Sequence, residues 1–390
     1  MKVTLTTRTP VHIGTGLSYY PNEYIASTLK SGGRIIRRID HSRFGEVFSD
    51  SQREEFVLRM EDAADGRPFS LTDFMLAQKI DPVPLTLYRF ENNCGEKEPK
   101  EIREYIKSAG IPYIPGSSIK GALRTALLWW HAKGDDTFVD SIRSDMQDRR
   151  KSHKREIGNE YVASVFSLRP KEKGRYDPKY DLLRFLQVSD CMPAQHALSV
   201  EGIRTYSLRY DTLSPKEYTV VAECVTGTFN GSIGGLDQIQ RLLKSAELPF
   251  LSKKMSLLGM KDPGDMKNVA PHLEKVLTAW NRWCLEHEKK IASADRNGQF
   301  MKPLDKVENW LKESAHMRLG FAVGTLYQTL IGLLEEKDPD LAAEIINHHR
   351  LGKIPRNVSR GEIDPPYPKS IEFTGLGEPM GWVSVKMGNS

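Results

Sequence analysis

The chain has 390 residues, of which 39% are hydrophobic and 27% charged, and its net charge is +5. This composition is typical of a folded globular protein with two or three domains and argues against extensive disorder. The four cysteines are widely spaced and form no C-x-x-C pair, which argues against a disulfide scaffold or a zinc finger. The N-terminus lacks the apolar core of a signal peptide, so we expect a cytoplasmic protein. The longest uncharged stretch, Leu319 to Leu334, is shorter than the roughly 20 residues that a membrane span needs, so a membrane is not an expected partner.

Strand and helix signals alternate in the first part of the chain. Polar and apolar residues alternate from Lys2 to Ile13, which predicts a strand that Gly14 to Gly16 interrupts, and Arg34 to Ile39 predicts another. Helical spacing follows in Ser51 to Ala63 and in Leu71 to Gln78.

The middle of the chain contains the strongest helix signal. A helix is predicted from Ser118 to about Lys133 and a second from Thr137 to about Asp148. A polar, basic tract then runs from residue 149 to residue 179, and we expect part of it to be a solvent-exposed insertion. Apolar content predicts strands at Asp181 to Val188 and Glu217 to Ile233.

The last third is predicted to be mainly helical. The predicted helices are Leu236 to Ala246, Val269 to Ser293, Leu304 to Ala315 and Phe321 to Leu334, and the predicted closing strands are Ser370 to Thr374 and Gly381 to Lys386. Each half thus alternates strands and helices. The sequence predicts an α+β fold with two domains, residues 1–180 with the basic insertion near 149–179, and residues 181–390 with helical insertions.

The segment IPYIPGSSIKGALRTALLWW favours a sharply defined helix start. Pro112 and Pro115 impose extended or turn geometry on the preceding residues, and Gly116 tolerates unusual backbone angles. Ser117 or Ser118 is then placed to cap the first turn. We therefore expect a helix N-terminus immediately after Pro115.

Two cations follow this start at a spacing of four residues, Lys120 and Arg124, which puts them on one helix face. A helix N-terminus is itself a favourable site for an anion, so this arrangement indicates phosphate. An ordinary amphipathic helix with solvated cations is the alternative. The segment is not a Walker loop, because no Ser or Thr follows the lysine.

The stretch TPVHIGTG places His12 before Gly14 and Gly16, two glycines that permit close backbone approach. His12 is a candidate general base, a candidate phosphate contact or a structural histidine. It has no second acid or base at suitable spacing, and the chain contains no recognisable metal motif. We therefore predict neither a metal nor another cofactor.

Two later stretches resemble this one in glycine content. They are RLGFAVG, Arg318 to Gly324, and FTGLGEPMGW, Phe373 to Trp382. Both could bring backbone N–H groups near a phosphate chain, with Arg318 adding charge. Their glycines could equally serve packing or turn geometry.

The motifs TPVHIGTG, YIPGSSIKGALRTALL, LQVSD and GLGEPMGW, in this order, resemble those of the RAMP superfamily of CRISPR-associated proteins. Within it, PNEYI, LSPKEYTVVAECVTGTF, RLGFAVG and PMGWV look most like one subunit family of type III-A Csm effector complexes. The resemblance implies ferredoxin-like, RNA-recognition-type domains. It also implies that the chain binds CRISPR RNA (crRNA), caps its 3′ end and supports its maturation.

The resemblance also implies an RNA-binding surface and a set of partners. Together with His12 and Arg318, which are candidates from their own sequence context, the expected RNA-binding residues are His12, Gly14, Gly16, Gly116, Ser117, Ser118, Lys120, Arg124, Arg318, Gly320, Gly324, Gly375 and Gly377. The implied partners are crRNA and the other Csm subunits, especially the RAMP backbone subunit and the small helical subunit, with host nucleases as further partners.

One departure from the superfamily bears on catalysis. Related backbone subunits cleave target RNA with an aspartate shortly after the first glycine loop, whereas the corresponding stretch here, LSYYPNEYI, has Asn22 and Glu23. A single carboxylate at Glu23 is a poor metal site. We therefore expect a non-catalytic subunit. The alternatives are a metal-independent endoribonuclease with His12 as base, and an assembly adaptor that does not need RNA.

Overall fold

The computed structural model describes residues 1–148, 156–170, 177–209, 212–349, 351 and 367–388. The strands are β1 (Lys2–Thr7), β2 (Gly14–Tyr19), β3 (Tyr24–Thr28), β4 (Arg34–Ile39), β5 (Thr86–Asn92), β6 (Ile102–Tyr105), β7 (Lys107–Ser108), β8 (Ile111–Pro112), β9 (Gln187–Val188), β10 (Met192–Arg209), β11 (Thr212–Gly234), β12 (His316–Arg318), β13 (Ser370–Thr374) and β14 (Trp382–Gly388). The helices are α1 (Phe44–Val47), α2 (Asp50–Ala64), α3 (Leu71–Ala77), α4 (Gly116–Lys133), α5 (Thr137–Gln147), α6 (Asn159–Phe166), α7 (Asp237–Leu242), α8 (Leu251–Lys254), α9 (Val269–Ala292), α10 (Met301–Glu313), α11 (Ile331–Lys337) and α12 (Pro339–His348). Among these described helices, none has the length and apolar character to cross a membrane.

A mixed sheet of 12 strands organises the fold, with β12-β14-β1-β11-β10-β5-β4-β3 as its main path. The long strands β10 and β11 form its central antiparallel pair, while β5 joins β10 in parallel. β1 lies between β11 and β14 and is antiparallel to both. Helices cover the sheet, which confirms the predicted α+β class. The division at residue 180 stays a prediction.

The motif helix α4 is held by an aromatic contact with α9. The indole ring of Trp129 lies 5.4 Å from that of Trp280 and 5.7 Å from that of Trp283, measured between centroids. Leu123 and Leu127 are also buried. These apolar residues fix one face of α4 in the core, so its opposite face must point outward.

Many predicted elements are confirmed. β4 matches its predicted range, α4 begins two residues earlier than predicted, and α2, α3, α5, α7, α9 and α10 fall within the predicted helical stretches, allowing for a few residues at the ends. β13 and β14 confirm the closing strands, and β11 extends the predicted strand at both ends.

Three predictions are wrong for identifiable reasons. Residues 181–188 form mainly a 3-10 turn, Leu182–Phe185, followed by the short β9. The predicted helix from Phe321 to Leu334 is limited to α11 and a 3-10 turn, because Gly320 and Gly324 adopt φ of 89° and 82°. Gly14 to Gly16 do not end a strand but begin β2, whose pairing with β6 is irregular between Gly14 and Ser18.

The predicted basic insertion is only partly described. Residues 149–155 and 171–176 lie outside the described residues, so the prediction of exposure stays untested there. Between them lies α6, in which Tyr161 and Phe166 are buried. This part of the tract is therefore integrated into the core.

Candidate nucleic-acid interface

The N-terminus of α4 is satisfied by a carboxylate from elsewhere in the chain. Its N-cap residue is Pro115, and the backbone N–H of Gly116 donates to Asp190 Oδ1 at 2.8 Å. Ser117, predicted as a cap, is instead exposed, and Ser118 is half-buried within the first turn. The capping prediction is therefore wrong, because the helix begins before both serines. Asp190 already provides negative charge at the positive helix end.

Gly116 is required at this position by close backbone packing. A Cβ added there would lie 2.3 Å from the carbonyl oxygen of Val188 and 2.8 Å from the carbonyl carbon of Ser189. Such contacts are too short for any side chain. The helix start thus packs directly on the LQVSD stretch, and two motifs separated by about seventy residues form one structural unit.

The outward face of α4 contains Ser117, Lys120, Gly121 and Arg124, as their spacing requires. Ser117 and Gly121 are exposed, while Lys120 and Arg124 are half-buried. In the described part of the chain, a Cβ added at Gly121 would meet no atom within 4 Å. We call these four residues the α4 face. It combines two cations with a small, open central position.

Arg124 has an internal partner as well as an exposed side. Its Nη1 lies 2.6 Å from Asp181 Oδ2, and its guanidinium lies 4.3 Å from the ring centroid of Phe166. Lys120 is less well compensated. Burial lowers the pKa of Lys120 and the nearby Arg124 lowers it further, while Asp181 acts in the opposite direction. Binding an anion would favour the charged form of this lysine.

The three glycine-containing stretches converge in space. The N–H of Phe321 donates to the carbonyl of His12 at 2.8 Å, and the N–H of Gly381 donates to the carbonyl of Pro10 at 2.9 Å. The N–H of Leu319 donates in turn to the carbonyl of Gly381 at 2.8 Å. We call this meeting of the Thr9–Gly16, Arg318–Gly324 and Phe373–Trp382 stretches the glycine-loop junction.

Some glycines of the junction serve packing and others remain exposed. A Cβ at Gly320 would lie 2.1 Å from the carbonyl oxygen of His12, so this glycine permits two backbones to touch. Gly14 and Gly16 are exposed at the start of β2, and Gly324 is half-buried. Gly375 and Gly377 lie in the turn after β13, where Gly375 donates its N–H to the carbonyl of Gly202.

His12 has the environment of a structural histidine. It is 3% exposed, and its Nδ1 lies 2.6 Å from the carbonyl oxygen of Glu223, so Nδ1 must carry the proton and donate. Burial lowers the pKa of His12, and Arg103 and Lys107 lower it further, against the raising effect of the carbonyl of Glu223. The ring is therefore neutral near pH 7 and fixed in one tautomer. A direct RNA contact through this side chain would require the junction to open.

Arg318 does not offer its charge to a ligand. Its side chain is 1% exposed, and Nη1 lies 2.9 and 2.8 Å from the two carboxylate oxygens of Glu288. Nε donates to the carbonyl of Met380, and the hydroxyl of Tyr327 also donates to Glu288. The predicted RNA contact by this arginine is corrected: its charge is neutralised inside the protein, and it holds two junction stretches together.

Sequence reasoning missed the acidic residues that organise both regions. Asp190, Asp181 and Glu288 each accept a hydrogen bond from a motif residue, and the Glu223 carboxylate accepts the backbone N–H of Tyr105 in β6. Glu223 lies alone in apolar sequence surroundings, and a lone acid in such a context is a usable signal for a buried ion pair, whereas Glu288 lies in a charged stretch and gives no such signal. Arg103 was also missed, and it lies 4.7 Å from the ring centroid of Phe321 at the junction surface.

Glu23 is engaged in an ion pair. Its Oε1 lies 2.8 Å from Arg38 Nη2, and its Oε2 accepts the N–H of Tyr20. Among the described residues, no cluster of three or more His, Cys, Asp or Glu side chains is arranged to hold a metal ion. The geometry around Glu23 thus suits a structural role.

Comparison with known proteins finds a family match over the first half of the chain. The model of the RAMP superfamily matches residues 4–192, which include the TPVHIGTG motif, the α4 face and the LQVSD stretch. The resemblance to RAMP-superfamily CRISPR-associated proteins is thereby confirmed.

More particular similarities are to Csm5. The chain is 29% identical over 205 residues to the CRISPR system Cms protein Csm5 of Streptococcus thermophilus, covering 49% of this chain and 51% of that protein. It is 22% identical over 336 residues to the Csm5 of Methanocaldococcus jannaschii, covering 85% of this chain and 72% of that protein. The first match thus spans about half the length of the relative.

Solved structures support the same fold. One chain of a Csm–crRNA–target RNA ternary complex from a type III-A CRISPR-Cas system superposes with a TM-score of 0.73 at 22% identity, covering 99% of this chain and 100% of that one. The crystal structure of the T. onnurineus Csm5 superposes with a TM-score of 0.61 at 18% identity, covering 98% and 99%. The architecture is therefore shared over nearly the full length.

Proposed function

We propose that the protein is a non-catalytic crRNA-binding subunit of a type III-A Csm effector complex. In this proposal it caps the 3′ end of the crRNA, supports maturation of that end and acts in the cytoplasm. Its partners are crRNA, the RAMP backbone subunit, the small helical subunit and, during maturation, host nucleases. The similarity to Csm5 proteins and the shared fold with a chain of a Csm–crRNA complex support it.

The α4 face is the single observation that carries the RNA-binding proposal. It presents the cations Lys120 and Arg124 beside an exposed Ser117 hydroxyl and an open Gly121. A phosphate chain can approach such a surface closely, because no side chain projects from its centre. Contacts of this type recognise the RNA backbone and carry no base preference.

The glycine-loop junction supplies a second contact region in this proposal. RNA can reach the exposed backbone at Gly14 and Gly16 and the half-buried Arg103. His12 and Arg318 are buried and hold the junction in shape without touching RNA. The buried ion pair and the interlocking backbone hydrogen bonds fix the shape of these loops. The RNA contact of the junction is thus expected through backbone groups.

The absence of catalysis in this proposal follows from two side chains. His12 is buried with Nδ1 committed to a carbonyl, so it is poorly placed to take a proton from a ribose 2′-hydroxyl. Glu23 is held by Arg38. Purified protein should therefore leave repeat RNA intact in EDTA. Site-specific cleavage that disappears in His12→Ala, with the fold retained, would establish the endoribonuclease alternative.

Binding to RNA is tested by the salt dependence of affinity. The dissociation constant for a crRNA-length RNA is measured over a salt series for the wild type and for Arg124→Gln. Gln keeps part of the side chain's packing against Phe166 while removing the charge. We expect the salt dependence to weaken by roughly one phosphate contact, equally for guides of different sequence.

The capping role is tested in the assembled complex. RNase treatment should release the subunit, because the proposal makes RNA part of its attachment. A subunit that stays bound after RNA removal would be an RNA-independent adaptor and would contradict the proposal.

A further inference from the structure

Lys254 lies where the second half of the chain meets the region of the α4 face. It is the last residue of α8, it is half-buried, and its Nζ donates to the carbonyl oxygen of Ser164 in α6. The ring of Phe166, at the end of the same α6, stacks with Arg124. Lys254 and Arg124 therefore both contact one short helix.

Asp181 connects these cations electrostatically. Its Oδ2 pairs with Arg124 and its Oδ1 accepts the N–H of Leu183 at 2.7 Å. Its charge also acts on Lys120 and on Lys254, in both cases raising the pKa against the opposing effect of burial. In the described part of the chain, it is the one acidic side chain that acts on both lysines.

Burial acts against the charged form of both lysines. Burial lowers the pKa of Lys254 to about 8, and it also lowers the pKa of Lys120. Keeping a partly desolvated lysine charged costs free energy unless an anion is near. Further positive charge surrounds Tyr180, next to Asp181, where Arg169 lies 3.3 Å and Lys179 5.3 Å from the ring centroid.

We propose that Lys254 binds an RNA phosphate together with Lys120 and Arg124, so that one stretch of backbone bridges α4 and α8. This inference rests on the proposed function and extends its site into the second half of the chain. Lys254 lies outside the glycine and α4 motifs, and in the sequence it resembles an ordinary surface lysine. The bridging phosphate would explain why a lysine is held half-buried against the Ser164 carbonyl, in the field of a carboxylate that already pairs with Arg124.

The test compares neighbouring lysines. Binding of a fluorescently labelled crRNA-length RNA is measured over a salt series for the wild type, Lys254→Ala, Lys253→Ala and Lys120→Ala. Lys253 precedes Lys254 directly and is exposed, so its variant controls for the loss of one positive charge. We expect Lys254→Ala to reduce the slope of log affinity against log salt by about 0.7, as for one phosphate on a single strand. Lys253→Ala should leave the slope near the wild-type value.

The outcomes separate this inference from the proposed function. If Lys120→Ala and Lys254→Ala both behave like the wild type, the RNA-binding function of the α4 face fails. If Lys120→Ala weakens binding and Lys254→Ala matches Lys253→Ala, only the inference is overturned. Loss of binding to an acidic subunit without a change in RNA affinity would also overturn it, in favour of a protein partner.

A merely structural role of Lys254 is distinguished by Lys254→Arg. Because Lys254 loses its proton near pH 8, the wild type should bind RNA more weakly as pH rises from 7 to 9. Arginine stays charged, so Lys254→Arg should retain binding better over this range. Identical pH profiles for the two proteins would overturn the inference, even if Lys254→Ala failed to fold.

Discussion

The α4 face and the glycine-loop junction use arginine in opposite ways. At the α4 face, Arg124 is 31% exposed and shares Asp181 with nearby lysines, whereas at the junction Arg318 is 1% exposed and is enclosed by Glu288, Met380 and Tyr327. In the sequence, both arginines lie near glycines and both suggest a phosphate contact. Both arginines pair with a carboxylate that is distant in sequence, so the difference lies in enclosure: the Arg318–Glu288 pair is closed off from solvent, whereas Arg124 keeps an exposed side.

The two regions also use glycine differently. Gly116 and Gly320 let backbones touch, and a Cβ at either would overlap a carbonyl oxygen. A side chain at Gly121 would contact no other described residue, so the small size of this glycine matters for the approach of a ligand and not for internal packing. This contrast separates structural glycines from a candidate ligand-facing one and can be tested by single substitutions.

The largest effect is expected from removing the buried arginine. Arg318→Ala leaves the Glu288 carboxylate buried without its partner and should lower the free energy of unfolding by about 3–5 kcal/mol. Denaturant unfolding measures this. Arg241→Ala is the control, because its pair with Asp237 is exposed and contributes at most about 0.5 kcal/mol. Equal, small effects of the two variants would show that the Glu288 pair does not stabilise the junction.

A smaller but still large loss is expected at the start of α4. In Gly116→Ala the new methyl group would overlap the Val188 carbonyl, so α4 must move away from the LQVSD stretch. We expect a cost of about 2–3 kcal/mol, typical of overpacking. Thermal unfolding of this variant at wild-type stability would contradict the described packing.

The carboxylate at the helix start should contribute less. Asp190→Ala removes the acceptor of the Gly116 N–H and the favourable charge at the helix N-terminus, which should cost about 1 kcal/mol. Asp190→Asn retains an acceptor oxygen, so its stability should fall by less than that of Asp190→Ala. A larger loss of stability in Asp190→Asn than in Asp190→Ala would contradict the capping role of Asp190.

The smallest stability effect has the opposite sign and sharpens the contrast between the glycines. Gly121→Ala should raise the free energy of unfolding by about 0.5–1 kcal/mol, because alanine is the better helix former and the site is open. The same variant should weaken RNA binding if the backbone of the guide approaches this position. Higher stability with unchanged RNA affinity would place the RNA elsewhere on α4.

The sequence predicted the local elements of the fold better than their connections. The short strand signal in Arg34 to Ile39 and the apolar spacing of α4 and α9 are local, and the structure confirms both predictions. The strand β10 was missed because Pro193 and Gly202 interrupt its pattern, although pairing with β11 compensates for both. The helix predicted from Phe321 failed because Gly324 adopts a positive φ and Gly320, just before the predicted start, has a positive φ and packs on the backbone of His12.

The candidate site shows the same limit. The cations of the α4 face could be found from their spacing, since a helix fixes which residues share a face. The partners Asp181, Asp190 and Glu288 could not be assigned, because each lies at least thirty residues from the group it contacts. Ion pairs between residues that are distant in the sequence therefore determine which of the predicted cations can still contact a phosphate.

The most direct test of the account compares the two ends of α4. The salt dependence of crRNA binding is measured for the wild type, Lys120→Ala on the α4 face and Lys133→Ala at the exposed C-terminal end of the same helix. If RNA binds at the α4 face, Lys120→Ala lowers affinity and reduces the salt slope by about 0.7, while Lys133→Ala leaves both unchanged. Equal slopes for all three proteins, or an effect confined to Lys133→Ala, would contradict RNA binding at the α4 face.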